Sequence, residues 1–351
     1  MNGSKEIGKD SNNNIELVRV KCDFCNSNKN RIVINSKDFL FNTSTREYNI
    51  VKCLNCNLAF TNPRLKKSDL IRYYSRSVNY DNRTKSQELL GRFDLLRRLD
   101  ILTDYFNYNL LKKKKIRKII QFPNFLRFNR KGFSSLYIPK YIKNGKMLDI
   151  GCAYGGFLYQ MKLLGWNVKG IELNEEAVKY AIDRYGLDVE KVSIEDFQTS
   201  DSYDIIYLLN VLEHVESPKK VLTKCSSLLK PKGILVISIP NISGIEVKLF
   251  KKYAYTLQLP FHLYHFSKET IINYIKKTGL KITKIYYLNS DRDLIAPLSY
   301  RSIDHPKDYV SKFLFRFATN IYVRKTVIKP IATLLAITGQ SSRMTIIVNK
   351  I

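Results

Sequence analysis

The chain has 351 residues, 44% of them hydrophobic, enough to bury one sizeable core with one or two small modules beside it. Lys and Arg number 59 against 31 Asp and Glu, a net charge of +28 that no fold requires and that points to anionic partners. No apolar run reaches the 18 residues of a bilayer span and no basic-apolar-small leader opens the chain, so the expectation is a cytoplasmic protein, at most peripheral to the inner membrane surface.

Residues 1–14 are rich in Asn, Ser, Gly and Lys, too polar to offset their own ordering, and are expected to be disordered. Residues 15–65 follow as a small unit with β-rich stretches at Arg31 to Ile34 and Tyr48 to Val51, each beside a cysteine pair. The pairs Cys22-Asp23-Phe24-Cys25 and Cys53-Leu54-Asn55-Cys56, 27 residues apart, can supply four thiolates to one tetrahedral, structural Zn2+ site. Disulfides need an oxidising compartment, and a redox dithiol does not need two pairs in one small unit. A unit of this size lacks a core, so ligation on the order of 10 kcal/mol would carry its folding.

Residues 66–145 read as a helical connector and cap, with Leu89, Leu90, Phe93, Leu96, Leu99, Ile101 and Leu102 at helical spacing. From Tyr105 to Leu148 there are twelve Lys or Arg and no acidic residue. A solvated helix face and an anion-binding surface are both open for that stretch.

After Lys146 short apolar strands alternate with amphipathic helices: Met147 to Ile150, Asn167 to Ile171, Val189 to Ile194, Tyr203 to Leu208 and Gly233 to Ile239. The alternation predicts a parallel α/β sheet with helices on both faces. Lys281 to Tyr287 would be a sixth strand and Arg343 to Val348 a seventh, giving a main domain of 146–290 plus 342–351. The inserted stretch 291–341 carries Phe313, Leu314, Phe315, Phe317, Ile321, Tyr322 and Val323, then Ile328, Ile331, Leu334, Leu335 and Ile337, with Lys and Arg between them. Over 306–338 this is a basic amphipathic pattern that suits an anionic membrane, or else a cap packed on the protein's own sheet or on a second subunit.

The first strand runs into Gly151-Cys152-Ala153-Tyr154-Gly155-Gly156, small residues that let backbone approach a ligand at a helix N-terminus. Gly151, Ala153 and Gly156 also fit a loosened dinucleotide fingerprint with Glu172 as the ribose acid, so an NAD(P)-dependent oxidoreductase is an alternative at this point.

The motifs taken in order resemble the class I S-adenosylmethionine-dependent methyltransferases over about residues 146–290 and the last strand. Leu148-Asp149-Ile150-Gly151-Cys152-Ala153-Tyr154-Gly155 looks like the family's first motif, with Ala153 where glycine is usual. Glu172 ends the second strand where the family places its ribose-binding carboxylate, followed by Leu173, and Ser193-Ile194-Glu195-Asp196 falls where relatives cover the adenine. Asn210-Val211-Leu212-Glu213-His214-Val215 looks like the Leu-Glu-His-Val motif of the small-molecule branch.

The resemblance implies a Rossmann-like seven-stranded sheet with an antiparallel last strand. It also implies an S-adenosyl-L-methionine site formed by Asp149, Gly151, Ala153, Gly155, Glu172, Leu173, Ile194, Glu195 and Asn210. His214, then His262 or His265, are the candidate catalytic bases, the last two in Pro260-Phe261-His262-Leu263-Tyr264-His265-Phe266-Ser267, a segment placed to fold over substrate. The paired cysteines with Leu58-Ala59-Phe60-Thr61-Asn62-Pro63-Arg64 resemble the zinc-bearing front end of methyltransferases of sugar and surface-glycan pathways. That implies a small or glycan-type acceptor, anionic, such as a nucleotide- or lipid-linked sugar. An RNA methyltransferase is the alternative within the enzyme class, since zinc modules and positive charge both suit phosphate backbones. Nucleic acid is the less favoured partner, because no Asn-Pro-Pro-Tyr or Asp-Pro-Pro-Tyr follows the fourth strand.

Overall fold

The computed structural model describes residues 16–42, 45–66, 69 and 137–350. The expected disordered start (1–14), the basic run at 112–118 and nearly all of the expected connector 66–145 lie outside the described residues.

Seven strands form the main sheet: β6 (Lys146–Ile150), β7 (Asn167–Glu172), β8 (Val189–Lys191), β9 (Tyr203–Leu209), β10 (Leu229–Pro240), β12 (Leu280–Tyr287) and β13 (Arg343–Lys350). Their order is β12-β13-β10-β9-β6-β7-β8. Only β13 runs antiparallel to its neighbours, pairing Ile237 with Ile346 on β10 and Ile285 with Ile346 on β12. The predicted α/β sheet and its antiparallel last strand are thus present.

These strands are apolar on both faces, and the alternation of side chains assigns them to two layers. Leu148, Ile150, Ile206, Leu208, Leu235 and Ile237 enter one core, while Met147, Ile205, Tyr207, Val236 and Ile347 enter the other, with Trp166, Leu158 and Met161. Helices α1 (Gly156–Leu163), α2 (Glu175–Tyr185) and α3 (Pro218–Leu228) follow β6, β7 and β9, and α4 (Ile245–Phe250) and α5 (Lys268–Lys276) lie between β10 and β12. Asn174 caps α2 by accepting from the Ala177 N–H (2.9 Å), and Ser217 caps α3 by accepting from the Lys220 N–H (3.3 Å). Strand β8 stops at Lys191 rather than Ile194 because the Ser193 hydroxyl and Asp196 close a turn: the Asp196 N–H donates to Ser193 Oγ (3.2 Å) and Ser193 Oγ to the Asp196 carboxylate (2.6 Å).

The order reverses between β6 and β9, since the chain adds β7 and β8 on one side of β6 and β9 and β10 on the other. In open α/β sheets ligands bind in the crevice at the carboxyl ends of the strands flanking such a reversal. Here those ends are Gly151 and Asn210.

The N-terminal unit consists of β1 (Leu17–Val18), β2 (Asn30–Lys37), β3 (Glu47–Cys53), β4 (Ala59–Thr61) and β5 (Arg64–Leu65). It is not separate from the main domain. Strand β11 (Tyr264–His265), from the segment after β10, pairs antiparallel with β4 and completes a sheet of order β11-β4-β3-β2. Tyr48, Ile50, Phe60 and Leu65 share one continuous core with Leu148 and Ile237. Asp23, in the first cysteine turn, accepts from Ser217 Oγ (2.6 Å), Tyr274 Oη (2.9 Å) and the Lys219 N–H (3.2 Å). A carboxylate at the start of α3 is favoured by the helix dipole, and the Phe24 ring packs on Tyr274 at 4.9 Å.

The insertion folds as α6 (Asp291–Asp304), α7 (Tyr309–Thr319) and a helical run over 321–337. Arg343 at the start of β13 anchors α6 through two bonds to the buried Asp293 carboxylate, 2.8 and 3.0 Å. Beyond that anchor the apolar side chains are open: Phe313 is 66% exposed, Tyr322 76% and Ile337 78%. Among the described residues, no helix is long and apolar enough to cross a membrane.

Candidate active site

The turn after β6 is held by backbone geometry that its small residues permit. Gly151 has φ +72°, and a Cβ there would lie 2.6 Å from Val211 Cγ2. Gly155, which starts α1, has φ +75°, and a Cβ there would meet Leu187 Cδ1 at 2.6 Å and Ala181 Cβ at 2.9 Å. Ala153, where glycine is the usual residue, also takes a left-handed φ of +48°. Such a conformation costs a non-glycine residue roughly 1–3 kcal/mol and persists only where surroundings enforce it. The enforcing group is Glu172. Its Oε2 accepts from the Ala153 N–H (2.9 Å) and its Oε1 from the Leu173 and Asn174 N–H groups (2.8 and 2.9 Å). One carboxylate therefore ties the ends of β6 and β7 together and lines the mouth between them.

Asp149 is 2% exposed at the end of β6. Desolvation, with the charge of Glu172 second, pushes its carboxyl up to about 8. The Glu172 carboxylate at the head of a glycine turn offers acceptor oxygens suited to a cationic ligand carrying a diol. The residues present thus fit S-adenosyl-L-methionine. Leu173 and Asn210 are exposed at the same rim, and Asn210 has φ +56° with its N–H donated to Ser238 O (2.8 Å). Glu195 is partly exposed, but Ile194 is a core residue packed with Phe197.

The three candidate bases come together in a row, His214 and His262 with ring centres 4.7 Å apart and His262 and His265 6.3 Å apart. Each has a polar partner that fixes its tautomer. His214 Nδ1 donates to Phe261 O (2.9 Å), His262 Nδ1 to Thr256 O (2.9 Å), and His265 Nε2 to Thr61 Oγ1 (3.2 Å), whose own proton goes to His262 O (2.7 Å). Desolvation holds His214 down to about 4 and His265 to about 3, and burial with the neighbouring rings lowers His262. A base is most effective near the working pH, so in this state all three rings are neutral and weak. The expected lid over substrate needs correction: Tyr264 and His265 lie buried in the sheet shared with the N-terminal unit.

Glu213 received no role from the sequence, yet it is the least satisfied group of the site. It is 1% exposed, and neither carboxylate oxygen has a hydrogen-bond partner among the described residues. Desolvation pushes it up to about 8 against the pull of its own peptide N–H, which lies outside hydrogen-bond geometry, and of Arg343.

The four thiols of the N-terminal unit lie within 4.8 Å of one another, Cys22 to Cys56 at 3.4 Å and Cys25 to Cys53 at 3.5 Å. Thiolates ~2.3 Å from a tetrahedral zinc lie roughly 3.8 Å apart, so the arrangement fits a closed site. Each cysteine pair is followed by an asparagine in the left-handed region, Asn26 (φ 59°) and Asn57 (φ 64°). Their N–H groups close matching turns onto Cys22 O (2.8 Å) and Cys53 O (3.1 Å). The repeat Cys-x-x-Cys-Asn is the sequence signal for these two knuckles. Cys152 and Cys225 are buried packing residues of the sheet domain.

Comparison with known proteins follows the same lines. Residues 116–285 match a family model described as a methyltransferase domain. The chain is 31% identical over 174 residues to the ubiquinone biosynthesis O-methyltransferase of Thiobacillus denitrificans, covering 42% of this chain and 75% of that protein. It is 30% identical over 177 residues to the enzyme of the same name from Marinobacter nauticus, covering 42% and 74%. Among solved structures, a SAM-dependent methyltransferase from Archaeoglobus fulgidus aligns over 60% of this chain and 88% of its own with 22% identity and a TM-score of 0.41. The sheet order, the motif series and the curated relatives agree: this chain belongs to the class I S-adenosylmethionine-dependent methyltransferases.

Proposed function

We propose that the protein transfers a methyl group from S-adenosyl-L-methionine to an oxygen of a small anionic acceptor, a nucleotide- or lipid-linked sugar, and that zinc at Cys22, Cys25, Cys53 and Cys56 braces the site. The observation that carries the reading is the Glu172 carboxylate, which ties three backbone N–H groups at the ends of β6 and β7, beside the crevice that opens between β6 and β9. Bound there, the cofactor supplies a methyl on a sulfonium, already activated for in-line displacement. The chain's contribution is alignment, and proximity and orientation can supply ~7–11 kcal/mol of such a barrier. Glu172 presents its carboxylate beside the turn, next to the buried and protonated Asp149 carboxyl. The relatives' name, an O-methyltransferase of ubiquinone biosynthesis, supports an oxygen acceptor. The +28 charge supports an anionic one.

We further infer that the 306–338 face meets an anionic bilayer from the cytoplasmic side. Its exposed Tyr309, Phe313, Phe317, Tyr322, Leu334 and Ile337 are interleaved with Lys312, Arg316, Lys325 and Lys329, and no acidic residue occurs from 309 to 342. Apolar burial and attraction to anionic headgroups act together on such a helix.

Incubation with methyl-labelled cofactor and separate pools of nucleotide sugars, lipid-linked sugars and RNA tests the acceptor. Label in a sugar pool supports the reading, and label in RNA with steep salt dependence overturns it. Co-sedimentation with phosphatidylglycerol vesicles but not phosphatidylcholine vesicles, lost in the double variant Phe313→Asp/Phe317→Asp, is expected of the membrane face. Equal sedimentation of variant and parent would contradict it.

A further inference from the structure

We propose that Glu213, His214 and His262 hold a divalent transition-metal ion at the edge of the cofactor turn, distinct from the four-thiol site. Several observations converge on it. One ligand atom from each of the three residues falls within 4.8 Å of the other two. No hydrogen bond joins the Glu213 carboxylate to either ring, and both of its oxygens are buried without a partner among the described residues. Donors ~2.1 Å from one ion lie roughly 3–4 Å apart, beyond most hydrogen bonds and within this spread.

The histidines are preset as ligands. Nδ1–H of His214 is given to Phe261 O and Nδ1–H of His262 to Thr256 O, both at 2.9 Å, which leaves Nε2 deprotonated on each ring. Backbone partners of this kind orient metal-bound imidazoles and fix their tautomer. The backbone that carries the donors is clamped as well. Glu213 O accepts from the Leu263 and Tyr264 N–H groups (2.8 and 3.1 Å), which locks the position of His262 relative to Glu213.

An isolated buried carboxylate is expensive unless protonated, paired or bound to a metal. No cationic side chain bonds Glu213 among the described residues, since Arg343 gives its two bonds to Asp293. A set of two imidazoles and one carboxylate is borderline in softness and suits zinc, manganese or ferrous ions rather than calcium or magnesium. Three protein donors leave positions open, the pattern of catalytic rather than structural sites. Val211, two residues before Glu213, is the side chain nearest the Cβ position of Gly151, so the ion would border the cofactor turn. That it could take an acceptor oxygen rests on the methyl-transfer reading. That it binds does not.

The test uses the full-length zinc-loaded protein. After removal of weakly held ions, Mn2+ is titrated and free Mn2+ is read by electron paramagnetic resonance, with S-adenosylhomocysteine affinity measured separately on each sample. One Mn2+ per chain is expected beyond the thiolate-bound zinc, with affinity lowered tenfold or more in Glu213→Gln and in His262→Asn. Should either variant fold poorly, wild-type protein labelled with 15N-histidine and loaded with 113Cd2+ gives the same answer: one-bond coupling to Nε2 of two of the four histidines is expected. No Mn2+ beyond the zinc, equal affinity in both variants, or no coupled histidine overturns the proposal. Because cofactor affinity is read independently, its loss would instead count against the methyltransferase reading.

Discussion

Three glycines separate conformational strain from steric overlap. A methyl at Gly156 meets nothing within 4 Å, at Gly186 it meets nothing but sits at φ +57°, and at Gly155 it sits at φ +75° with Ala181 Cβ at 2.9 Å and Leu187 Cδ1 at 2.6 Å. Leu187 is a core side chain and the Ala181 methyl cannot swing aside, so Gly155→Ala has no cheap relaxation. Left-handed backbone costs an alanine roughly 1–2 kcal/mol, and overpacking a well-filled core adds about 1–3 kcal/mol. Gly155→Ala should therefore lose ~2–5 kcal/mol, Gly186→Ala ~1–2 kcal/mol, and Gly156→Ala, in the first turn of α1, should change by less than ~1 kcal/mol in either direction. Equilibrium guanidinium unfolding measures all three, and calorimetry with S-adenosylhomocysteine should register weakened binding only for Gly155→Ala. Equal losses at Gly155 and Gly156 would refute the description of the turn.

Glu172→Gln offers one acceptor oxygen where the carboxylate offered two, so a peptide N–H faces an amide donor. Charge-assisted bonds are worth about 1.5–3 kcal/mol, and partial exposure puts this one at the lower end, so S-adenosylhomocysteine binding should weaken about tenfold or more by calorimetry. Asp149 should make the ligand-free protein less stable as pH rises. Below pH 3.8 the carboxyl is protonated folded and unfolded; between there and about 8 only the native state keeps the proton, and each pH unit removes up to ~1.4 kcal/mol. Denaturation at pH 5, 6.5 and 8 should give a shallower decline for Asp149→Asn than for the parent, and identical slopes would remove Asp149 as the cause. Asp23→Ala leaves the Ser217 and Tyr274 hydroxyls without their acceptor and should cost about 2–4 kcal/mol in urea unfolding. Cys22→Ser should lower bound zinc by about one ion per chain, read by atomic absorption, and expose sites between residues 17 and 65 to protease.

The sheet was legible because strands buried on both faces are written as short, mainly apolar runs, as in Met147 to Ile150 and Tyr203 to Leu208, each interrupted by a single aspartate. The cofactor turn was legible because Gly151 and Gly155 stand where no side chain fits, and the cysteine knuckles because two Cys-x-x-Cys-Asn repeats are a local pattern. What was not legible depends on contacts between distant segments. Nothing local to Tyr264 and His265 says that they extend the sheet of the N-terminal unit, and nothing local to Asp23 says that it docks on α3. The burial of Ile194 with Phe197 depends on the turn that Ser193 and Asp196 close after β8. Glu213 was read only as part of a motif, because an orphaned carboxylate is a property of its surroundings.

The central claim is cofactor identity, and calorimetric titration of the wild-type protein with S-adenosylhomocysteine, S-adenosylmethionine and NADH tests it most directly. Micromolar binding of both sulfur ligands at one site per chain, with no heat from NADH, is the expected result; binding of NADH alone would contradict the account and return the glycine turn to a dinucleotide.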